Sequence, residues 1–167
     1  SEGSPGKQGP LGQIGPQGPQ GPQGNNGSKG EKGESPQVRK SAFTAVRTTH
    51  VLSSESIILF TSMEINVGED FDKNTGKFTC RISGFYYFMF SLLSQSGYDL
   101  YVTMKLNGRV ITTVRRSTTS GYDQLSSGAT VQLNVGDEVW LTNEGKHVYG
   151  HSGYPLTFTG FMVYGMN

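Results

Sequence analysis

Three tripeptides of one kind recur through the second half of this chain: Ser96-Gly97-Tyr98, Ser120-Gly121-Tyr122 and Ser152-Gly153-Tyr154. Two of them continue into an acid, Asp99 and Asp123, and the third follows His147, Tyr149 and His151. Tyrosine offers contact area at small entropic cost, glycine and serine let a loop adapt, and acids or amides bond sugar hydroxyls. Tyr98, Asp99, Tyr122, Tyr149, His151 and Tyr154 are therefore candidate ligand-binding residues. The competing reading is that Gly and Ser terminate strands while Tyr shields their ends. Arg115-Arg116 can likewise meet an acidic ligand or stand as ordinary surface charge. Catalysis has no such constellation: Cys80 falls in a run that reads as strand, the histidines lack metal-ligand spacing, and no Gly-x-Ser-x-Gly or phosphate loop occurs. The expected chemistry is binding, and the chain is read as a non-enzyme.

A second kind of candidate lies at the other end, in "PGKQGP", Pro5 to Pro10. Its setting is a repeat: glycine occupies every third position from Gly3 to Gly33, eleven of the 24 glycines in the chain. Only glycine fits the crowded axis of a collagen triple helix, so residues 3–33 are expected to form a stem of three chains. The rod would be roughly 100 Å long at ~3.1 Å per residue. Pro10, Pro16, Pro19 and Pro22 take the X position, and Pro5 alone takes Y, where hydroxylation occurs. A rod so poor in hydroxyproline is expected to depend on a trimeric head for nucleation. Asn26-Gly27-Ser28 is a glycosylation sequon whose side chain points outward from such a rod. In "KGEKGE", Lys29 to Glu34, staggered chains can form exposed ion pairs worth under ~1 kcal/mol each. Lys7 either keeps this rod soluble or enters an acidic pocket on a partner, which an ammonium on a flexible stem can do.

Residues 34–41 read as a linker, and residues 42–167 as a head. Alternating apolar runs there give candidate strands at Ala42–Arg47, Ser56–Phe60, Lys77–Arg81, Phe85–Ser94, Leu100–Leu106, Arg109–Val114, Ala129–Leu133, Glu138–Thr142 and Leu156–Tyr164. Asn107-Gly108 reads as a tight hairpin turn. No long amphipathic helix is in evidence, so a β-sandwich or jelly roll follows. In "GFYYFMFSLLSQ", Tyr86, Phe88, Phe90 and Leu92 share one face while Phe85, Tyr87, Met89 and Leu93 share the other. A strand apolar on both faces is covered on both sides. One cover is the core, and two identical heads brought by the stem can supply the other.

The spacing F-x5-N-x4-F-x6-F-x5-G-x-Y-x-F-x-F is met by Phe60, Asn66, Phe71, Phe78, Gly84, Tyr86, Phe88 and Phe90. With "GDEVW" at Gly136–Trp140 and "FTGF" at Phe158–Phe161, it resembles the complement C1q-like family, part of the C1q/tumour necrosis factor superfamily. The resemblance implies an all-β, ten-stranded jelly-roll head that trimerises behind a collagen triple-helix segment. It implies a buried free cysteine at Cys80, and calcium near the trimer apex with Asp123 and Gln124 as ligands. Arg115 stands where some relatives carry a second acid, which opposes calcium. The stem hexapeptide resembles the hydroxyproline-Gly-Lys-X-Gly-Pro motif of complement-type collagens, which implies that Lys7 docks an associated serine protease.

Net charge is +1 with 16% charged residues, which gives no reason to expect nucleic acid or an anionic membrane as partner. No run approaches the ~20 apolar residues of a membrane span. The chain begins at Ser1 without a signal segment and reads as a processed chain or a fragment. A collagen stem points to an extracellular, secreted protein. With a single cysteine, stems gain no covalent link within these residues, and a homotrimer, bundled further, is the expected assembly. The reading is a complement-type pattern-recognition protein of innate immunity, lectin-like if its ligand is carbohydrate. A secreted signalling ligand and a short matrix collagen are the alternatives.

Overall fold

Period-two alternation dominates the chain beyond the stem, and in the computed structural model it yields strands there and no helix among the described residues, which are 1–31, 33, 39–52, 54, 56–117 and 119–166. The chain divides into two units, Ser1–Pro36 and Gln37–Asn167. In the first, the described residues form neither helix nor strand and all are exposed, including the apolar Leu11 and Ile14. Residues 34–38 of the expected linker, and Lys32 and Glu34 of the charged run, lie outside the described residues. The linker's end already belongs to the head: Ser41 is buried, and its carbonyl accepts the Met162 N–H at 2.9 Å.

The second unit carries eleven strands among the described residues: β1 Ala42–Arg47, β2 Ser56–Ile57, β3 Ser62–Val67, β4 Phe71–Asp72, β5 Lys77–Thr79, β6 Gly84–Gln95, β7 Asp99–Leu106, β8 Arg109–Ser117, β9 Tyr122–Leu133, β10 Glu138–Asn143 and β11 Leu156–Gly165. One sheet runs β3-β1-β11-β6-β9 and the other β4-β5-β10-β7-β8, with β2 paired to β10. All pairings within them are antiparallel. The jelly-roll sandwich is thus as expected, and each of the nine candidate runs holds a strand. Two strands went unread. β3 is an edge strand with mostly exposed side chains, and β4 is two residues long. β9 is also longer than the run Ala129–Leu133, because "YDQLSSG" carries turn-forming residue types yet pairs along β6 from Gln95 to Met89.

The core is aromatic. Tyr86, Phe88, Phe90 and Leu92 of β6 are fully buried, as their alternation predicts. Phe43 stacks on Phe71 at 4.3 Å and meets Phe158 edge-on at 5.1 Å. Each such ring contributes about 1.5–3 kcal/mol by burial. Gly160 makes the arrangement fit, since a Cβ there would stand 2.5 Å from Phe88 and 2.6 Å from Phe43. Cys80 is buried and free, with its thiol donating to the Ile82 carbonyl, and burial pushes the thiol's pKa up. Asn107 and Gly108 both hold positive φ, 49° and 85°, and form the β7–β8 hairpin turn as read.

The outward face of β6 and β11 is aromatic too. Tyr87 lies against Phe161 at 5.7 Å and Phe85 against Tyr164 at 4.8 Å. Met89, Phe161 and Tyr164 are exposed in the protomer. Leu93, on this same face, is buried instead, because the β10–β11 loop pairs beside it through a bridge to Tyr149 and Tyr122, Tyr149 and Tyr154 gather around it.

Candidate functional site

That loop builds the site. After β10, backbone bonds of 2.9 Å in both directions between Val51 and Val148 fasten it to the segment that follows β1. It then runs beside the end of β6, pairing Tyr149 with Leu93, and turns at His151–Tyr154. Within that turn the Gly153 N–H donates to His151 Nδ1 at 3.0 Å and the Tyr154 N–H to the His151 carbonyl at 3.0 Å. Leu93, Tyr122, Tyr149 and Tyr154 line a cavity of about 320 Å³ beneath it.

The rings around this cavity form one continuous set. Tyr122 meets Tyr149 edge-on at 5.6 Å, and Tyr149 stacks on His151 at 6.5 Å. On its other side Tyr149 meets His50 at 4.9 Å, His50 meets His147 at 4.9 Å, and His147 stacks on Tyr98 at 4.3 Å. All three histidines of the chain therefore sit in one cluster. His147 is buried and its Nδ1 finds no hydrogen-bond partner among the described residues. Burial lowers its pKa, and the neighbouring His50 lowers it further. Tyr98, Tyr122 and Tyr154 stay exposed, so the rim is accessible in the protomer.

Five of the six expected ligand residues, Tyr98, Tyr122, Tyr149, His151 and Tyr154, thus meet in this cluster. The sixth does not. Asp99 accepts from Ser117 Oγ and stands 4.0 Å from Arg115, tied to β8 rather than to the rings. His50 and Leu93 were missed: His50 joins from far back in the sequence, and Leu93 reads simply as one apolar residue of β6. Arg115 also lies over the Tyr101 ring at 5.2 Å, and Arg116 pairs with Asp123, so both arginines already have acidic partners within the chain.

Asp123 and Gln124 are consecutive in β9 and point to opposite faces of the sheet. Asp123 turns to Arg116, whereas the Gln124 amide donates to Ser91 Oγ at 2.6 Å on the outer face. They share no pocket within the protomer, and among the described residues no group of three or more His, Cys, Asp or Glu is arranged to hold a metal. Lys7, Pro5 and Asn26 stand exposed in the stem unit. A larger hollow of about 440 Å³ is lined by charges, Glu69, Asp70, Asp72, Lys77, Arg81 and Glu138 among them. Two of those acids pair with bases of the same hollow, Asp70 with Arg81 and Glu138 with Lys77, whereas the expected ligand residues gather around the aromatic cavity.

Comparison with known proteins bears on the same unit. A profile of the C1q domain matches residues 42–163. The chain is 36% identical over 131 residues to complement C1q tumor necrosis factor-related protein 3 of Mus musculus, covering 77% of this chain and 53% of that protein. It is 35% identical over 130 residues to a complement C1q subcomponent of Rattus norvegicus, covering 77% and 52%. The chain thus spans about half the length of these curated relatives. Among solved structures, the globular domain of zebrafish complement 1qA protein superposes with a TM-score of 0.65 at 25% identity, over 76% of this chain and 100% of that one. Eiger TNF from S. frugiperda shares the fold, with a TM-score of 0.59 at 12% identity over 77% and 96%. The matched span runs from the first residue of β1 almost to the end of β11, and the chain accordingly belongs to the C1q domain family.

Proposed function

We propose that the protein is a secreted, homotrimeric pattern-recognition molecule of the complement type, whose head takes neutral, ring-shaped ligands such as surface sugars into the tyrosine-lined cavity. The observation that carries this reading is the convergence of Tyr122, Tyr149 and Tyr154 on one hollow, with no charged side chain among the described residues that line it. About 320 Å³ falls at the small end of ligand sites, roughly 300–1,000 Å³, and suits one or two sugar rings. Aromatic faces take the apolar face of a sugar, and phenolic hydroxyls take its edge. Trimer contacts are assigned to the exposed aromatic face around Phe85, Tyr87, Phe161 and Tyr164. Phe85 lies eight residues before Leu93 on β6, about 26 Å at ~3.3 Å per residue, so both surfaces serve at once. Single contacts of this kind are weak, and bundled trimers gain by multivalency. The stem's part is to carry complement serine protease zymogens on Lys7, so that clustering heads brings zymogens together.

A glycan array probed with the full chain tests the head, with Tyr149→Ala beside it. The expected result is retained trimer and a loss of signal of about tenfold or more. Glycan binding that survives Tyr149→Ala and Tyr122→Ala would move recognition elsewhere. Binding of mannose-binding-lectin-associated proteases in calcium, with and without Lys7→Ala, tests the stem. A second reading, a signalling ligand for a cell-surface receptor, draws on the likeness to the tumor necrosis factor-related relative, at 36% identity beside 35% for the complement subcomponent. Cell binding that is indifferent to Lys7 and to the tyrosines would favour it.

A further inference from the structure

The loop over the cavity is held in place by imidazole nitrogens acting as acceptors. The Gly150 N–H donates to His50 Nδ1 at 3.2 Å, and the Gly153 N–H donates to His151 Nδ1 at 3.0 Å. Each bond requires an Nδ1 that carries no proton. An imidazole protonated on both nitrogens has only donors, so it faces the amide with like polarity and the bond is lost. The loop backbone is then short of two acceptors at the same moment. Gly150 sits tightly on this support, because a Cβ there would stand 2.3 Å from the Thr49 carbonyl oxygen.

We propose that residues 149–154 form a proton-released latch: neutral His50 and His151 hold the loop beside Leu93 and shape the tyrosine cavity, and their protonation frees the loop and discharges the ligand. The inference rests on the reading of that cavity as the ligand site. Histidine is the side chain whose ordinary titration falls just below neutrality, in the range of an acidified compartment or inflamed tissue.

The surroundings offer a protonated imidazole no acidic partner among the described residues. From the segment after β1, the Arg47 guanidinium donates to the backbone carbonyls of Thr49 and His50, at 2.9 and 2.7 Å. From the β10–β11 loop, His147 and Tyr149 face His50, and Lys146 precedes them. From the β6–β7 turn comes Tyr98, stacked on His147, and from β9 comes Tyr122. The nearby acids are engaged otherwise, Asp99 with Ser117 and Arg115, Asp123 with Arg116, and Glu144 with Lys105. Among the described residues no ion pair joins an acid to any of the three imidazoles. Proton uptake therefore gains no ion pair in return, and His147, buried between His50 and Tyr98, has no acceptor for a second N–H on Nδ1. The Val51–Val148 pair uses backbone groups only, so release is confined to the loop beyond it.

The test is amide hydrogen exchange on the full, unliganded trimer at about pH 7.5 and about pH 5, corrected for the intrinsic rate of exchange. Protection of the Gly150 and Gly153 amides is expected to fall about tenfold or more at the lower pH while β6 and β9 amides keep theirs. The double variant His50→Asn with His151→Asn keeps an acceptor oxygen near each Nδ1 that does not titrate, and its Gly150 and Gly153 protection should be the same at both pH values. Protection unchanged in the native chain overturns the latch, as does an equal acid loss in the double variant. No ligand is needed, so a glycan array without hits would sink the cavity reading and leave this measurement to judge the loop by itself.

Discussion

A Cβ added to any glycine from Gly3 to Gly33 meets no atom of its own chain within 4 Å, whereas at Gly160 it runs into two phenylalanine rings. The two regions use one residue type against different neighbours. In the head the crowding is internal: β11 must lie close enough to β6 for Phe43, Phe88 and Phe158 to fill the sandwich. In the stem unit nothing of the same chain crowds a glycine, and a period of three is what the shared axis of a collagen triple helix would require. A protomer can thus complete the packing of its head by itself, while the glycines of residues 3–33 have no packing role within it. The proposed trimer would cover the head's outward aromatic face around Tyr87 and Phe161.

Breaking the internal side should have the largest effect. Phe88→Ala empties the middle of the aromatic core and is expected to cost about 3–5 kcal/mol, read as a fall in the head's Tm by calorimetry. Gly160→Ala overfills the same place and should cost about 1–3 kcal/mol. Its stem counterpart, Gly15→Ala, should leave the head transition where it is and weaken a separate stem transition followed by circular dichroism. A head transition that moved with Gly15→Ala would dissolve the distinction between the two regions.

Smaller effects sharpen it. The His147 pKa is lowered in the folded head by burial, so below the ordinary value of ~6.5 the unfolded chain binds more protons than the folded one. Stability should be level above that pH and decline as pH falls beneath it, and the decline should reside in the head transition alone. His147→Phe keeps a ring against Tyr98 and removes the titration, so its Tm should be flatter over the same range; an equally steep fall would assign the pH dependence to other groups. Smallest of all, Arg116→Ala breaks an exposed pair with Asp123 and should cost under ~1 kcal/mol. A loss of several kcal/mol in urea titrations would show that pair to be more than surface charge.

Much of this was legible in the chain as written. The period of three at residues 3–33 is legible at once, and the triple helix it leads one to expect stays part of the proposal. Period two marks β6 because a pleated strand sends alternate side chains to opposite faces, and Tyr86, Phe88 and Phe90 obey it. The Asn107-Gly108 turn is local backbone chemistry, as is the strained positive φ it needs. Tyr98, Tyr122, Tyr149, His151 and Tyr154 could be proposed for recognition from residue type alone.

Tertiary structure decided what those residues do together. Ring contacts from Tyr98 through His147, His50 and Tyr149 to Tyr122 bring together the segment after β1, the β6–β7 turn, the β10–β11 loop and β9. No local spacing encodes such a meeting, because long-range strand pairing sets it. For the same reason Asp99 left the site for Ser117, and Asp123 and Gln124, neighbours in sequence, ended on opposite sides of a sheet. Periodicity is a one-dimensional property and can be read along the chain. A cavity belongs to several segments at once and exists only when the fold has brought them together.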